Sequence, residues 1–279
     1  MSSARAGTLY LVSTPIGNLG DMTHRAVEVL ASAALIIAED TRHSRRLLDH
    51  YKISTPLKSY HEHNEAQETP KLVARLRAGD SIALISDAGT PLISDPGSRL
   101  VAAALEANLP VVPIPGASSV MAAIVASGMP LERFTFVGFL PRKGRERSEM
   151  IADVVASHST VVMFEAANRV GATLEALADA GAGDRPAVVA RELTKQFEEF
   201  KRGCVAELAG VYKEVDPKGE VVLVIAGSKK STVSESELSD AARKLRASGN
   251  SPRDVMEHLM SGLGAPRNLA YKLAHETES

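Results

Sequence analysis

Short apolar runs alternate with helically spaced segments along most of this chain. The runs are Leu9–Val12, Leu35–Ala38, Ile82–Ile85, Val111–Ile114, Thr160–Met163, Ala187–Ala190 and Val221–Ala226. Each is apolar throughout instead of alternating, and rich in β-branched residues and leucine. Strands covered on both faces read this way, which predicts a largely parallel sheet flanked by helices. Between the runs, Met22, Ala26, Val27, Leu30 and Ala33 follow helical spacing behind Asp21 as a cap. Met150, Ile151, Val154 and Val155 form a second such stripe. The class is α/β.

The pattern changes after the alternating segment Phe134–Phe139, which ends at Pro141 and runs into Arg142, Lys143, Gly144, Arg145, Glu146 and Arg147. This predicts an N-terminal α/β domain over residues 1–130 and a second α/β domain over 131–227, the sheet of the first mainly parallel. Ser228–Ser236 reads as a polar, serine-rich linker. It opens a small helical C-terminal region over residues 228–279. There Leu238, Ala241, Ala242 and Leu245 keep helical spacing, and Ser251-Pro252-Arg253-Asp254 has the serine cap and early proline of a helix start. Val255, Met256, Leu259 and Met260 continue it.

Length agrees with this division, since 279 residues suggest about two domains. With 44% apolar and 24% charged residues, the chain can bury a real core, which excludes a disordered tail or a disulfide scaffold. The 32 basic and 34 acidic residues leave a formal charge of −2, so bulk charge does not hold it to polyanions. Cys204 is the single cysteine, too few for an internal disulfide or a cysteine-rich metal site. No apolar stretch is long enough to span a bilayer, and Met1–Gly7 has no hydrophobic signal core. A cytoplasmic protein without membrane attachment is expected.

Small, polar and charged residues gather where successive runs end. Leu9–Val12 leads into Ser13-Thr14-Pro15-Ile16-Gly17-Asn18-Leu19-Gly20, Leu35–Ala38 into Glu39-Asp40-Thr41-Arg42, and Ile82–Ile85 into Ser86-Asp87-Ala88-Gly89-Thr90-Pro91. Val111–Ile114, Thr160–Met163 and Ala187–Ala190 do the same. One such turn is ordinary, but six in succession point to a ligand site at the carboxyl edge of the strands. The chain lacks a Gly-x-Gly-x-x-Gly fingerprint and a phosphate-binding P-loop. Asp87–Pro91 and Asp95-Pro96-Gly97 offer carboxylates and amides without a phosphate-cradling lysine, which suits a zwitterionic or nucleoside-like ligand. His61-Glu62-His63 has no third ligand nearby, and no metal is expected.

Several of these segments together resemble one family. Gly7–Asp21, Ala38–His43, Ser86–Gly97, Pro115–Ser119, Gly138–Gly144 and Ala190–Lys195 are similar, in order and spacing, to the ribosomal RNA small-subunit methyltransferase I family of the tetrapyrrole methylase (class III) fold. The similarity runs from about Gly7 to Gly227. It implies a two-domain homodimer that binds S-adenosylmethionine between its domains and methylates the 2′-hydroxyl of a cytidine in the decoding region. The implied partner is small-subunit ribosomal RNA or the assembled 30S subunit. The resemblance places the methyl donor against Pro15, Asp87, Ala88, Gly89, Ile93, Ser94, Ser118 and Ser119, with Phe164, Leu193 and Ala226 from the second domain. Where many relatives read aromatic-Glu-small-Pro-His-Arg, this chain has Phe164-Glu165-Ala166-Ala167-Asn168-Arg169. Asn168 cannot take a proton at neutral pH.

Methyl transfer to a hydroxyl depends on alignment and calls for a proton acceptor. Asp40, Glu65, Glu165 and Lys195 are the candidates near strand ends, with His61 and His63 behind them. The competing role for such groups, as for Glu39, Arg42, Arg191 and Glu192, is an ion-pair network that orders loops. For RNA, Arg42 with Arg45 and Arg46, and Arg142, Lys143, Arg145 and Arg147, form local basic clusters. The tail, with eight basic and seven acidic residues, adds no basic surface. Two other functions fit the same segments: methylation of a small tetrapyrrole, and a non-catalytic ribosome-binding protein on a methylase scaffold.

Overall fold

The computed structural model describes residues 6–228 and 235–275. Residues 229–234 of the serine-rich linker and 1–5 of the N-terminal stretch lie outside the described residues. Five strands, β1 (Leu9–Val12), β2 (Leu35–Ala38), β3 (Leu57–Ser59), β4 (Ile82–Ile85) and β5 (Val111–Ile114), form a sheet in the order β3-β2-β4-β1-β5. Every pair is parallel. β2 and β4 are buried at all positions, between one cluster holding Leu9, Ile37, Leu84 and Leu100 and another holding Val12, Ile36, Ile85 and Leu30. The chain passes from β1 over β4 to β2 and later returns over β1 to β5. The switch point therefore lies between β1 and β4, where diverging loops leave a crevice.

Helices α1 (His24–Ser32), α2 (Thr41–His50), α3 (Glu65–Arg77) and α4 (Ser98–Glu106) connect these strands, and α5 (Ser119–Val125) leads out of the last one. The cap of α1 is Thr23, whose Oγ1 accepts from the Ala26 amide at 3.2 Å; Asp21 ends a separate short turn. A β-region threonine two residues later outcompetes the aspartate because its oxygen reaches the third helical amide.

A second sheet, ordered β6-β7-β10-β8-β9, comprises β6 (Phe134–Phe139), β7 (Thr160–Ala166), β8 (Pro186–Arg191), β9 (Glu199–Cys204) and β10 (Glu220–Ile225). Only β6 and β7 pair in parallel; the other three pairs are antiparallel. The parallel arrangement predicted from its apolar runs thus does not extend here. The runs report burial of both faces, and both are buried. One packs against α6 (Arg145–Ala156), α7 (Val170–Leu177) and α8 (Val205–Tyr212) through Val154, Leu174 and Leu208. The other packs against Val120 and Ile124 of α5, with Ile16, Val188 and Val222 in the same cluster.

The described residues up to Gly227 form one compact unit and those from Ser228 another. The second is built of α9 (Glu235–Ala247), α10 (Pro252–Glu257) and α11 (Arg267–His275) around Leu238, Val255, Leu259 and Leu273. Ser251 and Asp254 close a reciprocal cap on α10. Among the described residues, no helix is long and apolar enough to cross a membrane.

Candidate functional site

The loops leaving the switch point are sewn together by short polar side chains. The Thr14 amide donates to the Gly89 carbonyl at 2.9 Å, and the Gly89 amide returns to Thr14 at 3.1 Å. Thr14 Oγ1 donates to the Ser86 carbonyl and Ser86 Oγ to that of Gly89. Thr90 Oγ1 accepts from Ser13 Oγ and donates to the Ala117 carbonyl, which draws in the loop after β5. Gly89 has φ +81°, left-handed backbone that a β-carbon would strain.

Between this edge and the second sheet lies a cavity of about 370 Å³. The loop after β4 lines it with Asp87, Ala88, Gly89, Ile93 and Ser94, and the start of α5 with Ser118 and Ser119. Phe164 and Leu193 come from the second sheet's side. The structure thus brings together nine of the eleven residues expected around a methyl donor. Pro15 is buried behind the wall, and its neighbour Ile16 supplies the lining side chain. Ala226 sits at the far end of β10, where its carbonyl accepts from Arg185 at 2.6 Å. Because β10 runs antiparallel to β7 and β8, its amino end, Glu220 to Val222, reaches the cavity instead. Asp95, one of the carboxylates the sequence offers to a ligand, and Phe139 also line the cavity, although neither was placed against the methyl donor. The signal for Asp95 was its place in Ser86–Gly97; for Phe139 none existed in spacing alone.

The floor is apolar, through Ile16, Phe164, Leu193 and Val222, while Asp87, Asp95 and Glu220 put carboxylates at its sides. Asp87 accepts the Asp40 amide at 3.2 Å, tying the end of β4 to that of β2. Burial, then the charges of Glu39 and Asp87, push the Asp95 carboxyl up to about 6. Burial also raises Glu39, with Asp87 adding to it. Among the described residues, no lysine or arginine lines the cavity. An apolar ring joined to a positively charged group fits such a lining, and a polyphosphate does not.

All four candidate proton acceptors hold hydrogen bonds or ion pairs, and of the four only Glu165 lines the cavity. Asp40 caps α2, and its hydrogen bonds with Arg42 hold its carboxyl below the usual range. Glu65 pairs with Arg99 at 3.1 Å. Glu165, 2% exposed, accepts from Thr173 Oγ1 at 2.5 Å and from the Ala166 amide at 2.9 Å, with Arg169 Nε 3.2 Å away. Lys195 lies 2.9 Å from Glu192 and 3.1 Å from Glu220. Burial pulls its ammonium down, but those two hydrogen bonds outweigh it and leave the group above its ordinary value. His61 and His63 stand edge to face, 5.8 Å apart.

The basic residues divide likewise. Arg42 is exposed but paired with Asp40 at 3.2 Å, and Arg145 with Glu149 at 2.6 Å. Arg147 turns inward, donating to the Pro141 carbonyl at 3.2 Å and to Thr173 Oγ1 at 3.1 Å. Arg142 and Lys143 face solvent.

Residues 8–209 match the profile of the Tetrapyrrole (Corrin/Porphyrin) Methylases. The chain is 47% identical to a "Ribosomal RNA small subunit methyltransferase I" of Synechocystis, over 98% of this chain and 99% of that protein. A protein of the same name from Halalkalibacterium halodurans is 38% identical, over 97% and 95%. Among solved structures, a cobalt precorrin-4 methyltransferase superposes with a TM-score of 0.60 at 18% identity, covering 78% of this chain and 94% of that one. A uroporphyrin-III C-methyltransferase from Thermus thermophilus, complexed with S-adenosylhomocysteine, gives 0.55 at 19%, covering 79% and 97%.

Proposed function

The chain belongs to the tetrapyrrole methylases and, within them, to the ribosomal RNA small subunit methyltransferase I family, and from that premise we propose that it methylates the ribose 2′-hydroxyl of a cytidine in the decoding region of small-subunit ribosomal RNA. The nucleotide we propose is cytidine 1402 in the usual numbering of that RNA. Family membership makes the protein an S-adenosylmethionine-dependent methyltransferase acting on ribosomal RNA; the 2′-oxygen and the nucleotide are the further reading.

The observation that carries this reading is the cavity itself, apolar at its floor, acidic at its sides, and built by both sheets. S-adenosylmethionine brings there a methyl group on a positively charged sulfonium. Ile16, Phe164, Leu193 and Val222 would offer a surface to its adenine ring, and the Asp87 carboxylate would complement its positive charge. These contacts supply the alignment on which a displacement at carbon depends. Asp95 is the side chain suited to take the hydroxyl proton, because it lines the cavity and burial beside Glu39 and Asp87 pushes its carboxyl up to about 6. Glu165 is locked by Thr173 and Arg169, and Lys195 stays an ammonium, so both hold the site in shape. Arg142 and Lys143 are available to RNA phosphates.

The test is incubation with labelled methyl donor and, separately, assembled small subunits, naked ribosomal RNA and a precorrin, followed by mapping of the modified nucleotide. Label on a cytidine ribose of either RNA sample is the expected result. Label on the precorrin alone, or on a base instead of a ribose, overturns the proposal.

A further inference from the structure

Strand β6 does not run straight beside β7. Phe134, Thr135 and Phe136 pair with Thr160, Val161 and Val162, but the partner of Phe164 is Phe139, one residue later than regular pairing would give. The extra residue falls at Val137-Gly138, and Gly138 takes φ +68°. In an unbroken strand, residues three apart point to opposite faces, so Phe139 would enter the core around Leu174. The bulge reverses this and puts Phe136, Phe139 and Phe164 on one face. Their rings form a row, with Phe136 4.9 Å and Phe139 5.3 Å from Phe164.

Phe164 is partly covered, but Phe139 remains 54% exposed at the mouth of the cavity. A bulge and a left-handed glycine that turn a phenyl ring out of a core into water give up burial. A ligand that covers the ring restores it. We propose that Phe139 is the surface on which the pyrimidine of the target nucleotide stacks while its ribose enters the cavity. This rests on the RNA reading above and gives the reacting nucleotide a docking residue.

Two observations favour the RNA base over the adenine of the donor. The floor already holds Phe164, Leu193 and Val222, whereas Phe139 stands at the rim. Beyond Phe139 the chain reaches exposed Arg142 and Lys143 within four residues, about 14 Å of chain at most. Aromatic stacking beside cations that meet the backbone is how proteins hold an unstacked nucleotide.

The experiment compares wild type, Phe139→Ala, Phe139→Leu and Phe139→Trp in the full chain. Methyl transfer to small subunits is measured against RNA concentration, and S-adenosylhomocysteine affinity by calorimetry. Phe139→Ala and Phe139→Leu should each lower kcat/KM for RNA by about tenfold to a hundredfold, leave S-adenosylhomocysteine affinity within about twofold, and lose little melting temperature. Phe139→Trp should stay within about threefold of wild type. Loss of S-adenosylhomocysteine affinity with an unchanged KM for RNA would place adenine on the ring and overturn the proposal. So would an unimpaired Phe139→Leu enzyme. No transfer to RNA by wild type would instead defeat the reading on which the proposal rests.

Discussion

Lys195 lies against the bare Cα of Gly17. A β-carbon there would sit 2.3 Å from Lys195 Cγ and 3.1 Å from the Leu193 carbonyl oxygen. The contact joins the loop after β1 to the loop after β8, the two arms that close over the cavity. On the second arm, Glu192 and Thr194 take φ +51° and +65°. Left-handed backbone is rare for a β-branched residue and has to be held in place by its surroundings. The ties of Lys195 to Glu192 and Glu220 provide that hold.

Replacing Gly17 by alanine should therefore push the arms apart and weaken S-adenosylhomocysteine binding by about tenfold, with a small change in melting temperature, because Gly17 itself is exposed. In a Lys195→Ala background the clash with Cγ is gone, and the same substitution should cost much less. Calorimetry on the four proteins of this cycle decides the matter. Equal losses in both backgrounds would mean that the contact does not transmit the effect.

Asp95 gives the protein a pH signature. Its carboxyl is raised from 3.8 to about 6 by burial and by Glu39 and Asp87. A raised carboxyl favours folding while protonated in both states. That contribution is lost as pH climbs through the folded value, where the charge must form beside two others. Asp95→Asn should thus melt higher than wild type near pH 7.5, and the gap should close near pH 4. The sign reverses for a bound cation, since ionised Asp95 attracts it. Sulfonium donor affinity should rise from about pH 5 to 7.5 in wild type and stay flat in the variant. A variant that melts lower at the higher pH would show that the carboxylate is satisfied in the fold.

The parts of this architecture that sequence reveals are those repeated along it. Every run that reads as a strand forms one, although the edge strand β5 leaves Val112 and Pro113 exposed, and the polar residues after Val12, Ile85 and Ile114 converge because parallel strands end on one edge. Three features stayed hidden for a shared reason, namely that they depend on pairing partners. The antiparallel run of β10 moves the site contribution from Ala226 to Glu220–Val222. The polar edge strand β9, Glu199–Cys204, carries no apolar signal. The bulge that turns Phe139 outward exists only in register with β7.

Arg185 stabilises the second sheet from within. Its guanidinium is buried and donates to the Ala226 carbonyl at 2.6 Å and to the Val154 and Val155 carbonyls at 2.9 and 3.2 Å, near the carboxyl end of α6. A cation there meets both orphan carbonyls and the negative end of the helix. Arg185→Met keeps volume but takes the donor from the Ala226 and Val155 carbonyls and leaves Val154 only the Ser157 amide, and should cost about 3 kcal/mol in urea unfolding. A loss below about 1 kcal/mol would mean that water replaces the guanidinium.

The basic segment after Phe139 separates into two roles that one experiment distinguishes. Arg147 reaches Pro141 and Thr173, and Thr173 in turn donates to Glu165, so this arginine supports the wall of the cavity. Arg142 and Lys143 face solvent. Arg142→Ala with Lys143→Ala should weaken RNA binding and lower the slope of log K against log salt by about 1.4, the value for two single-strand phosphate contacts. Melting temperature and S-adenosylhomocysteine affinity should not move. Arg147→Ala should do the opposite, lowering the melting temperature while leaving the salt slope as it was. An unchanged slope in the double variant would take the RNA path away from this segment.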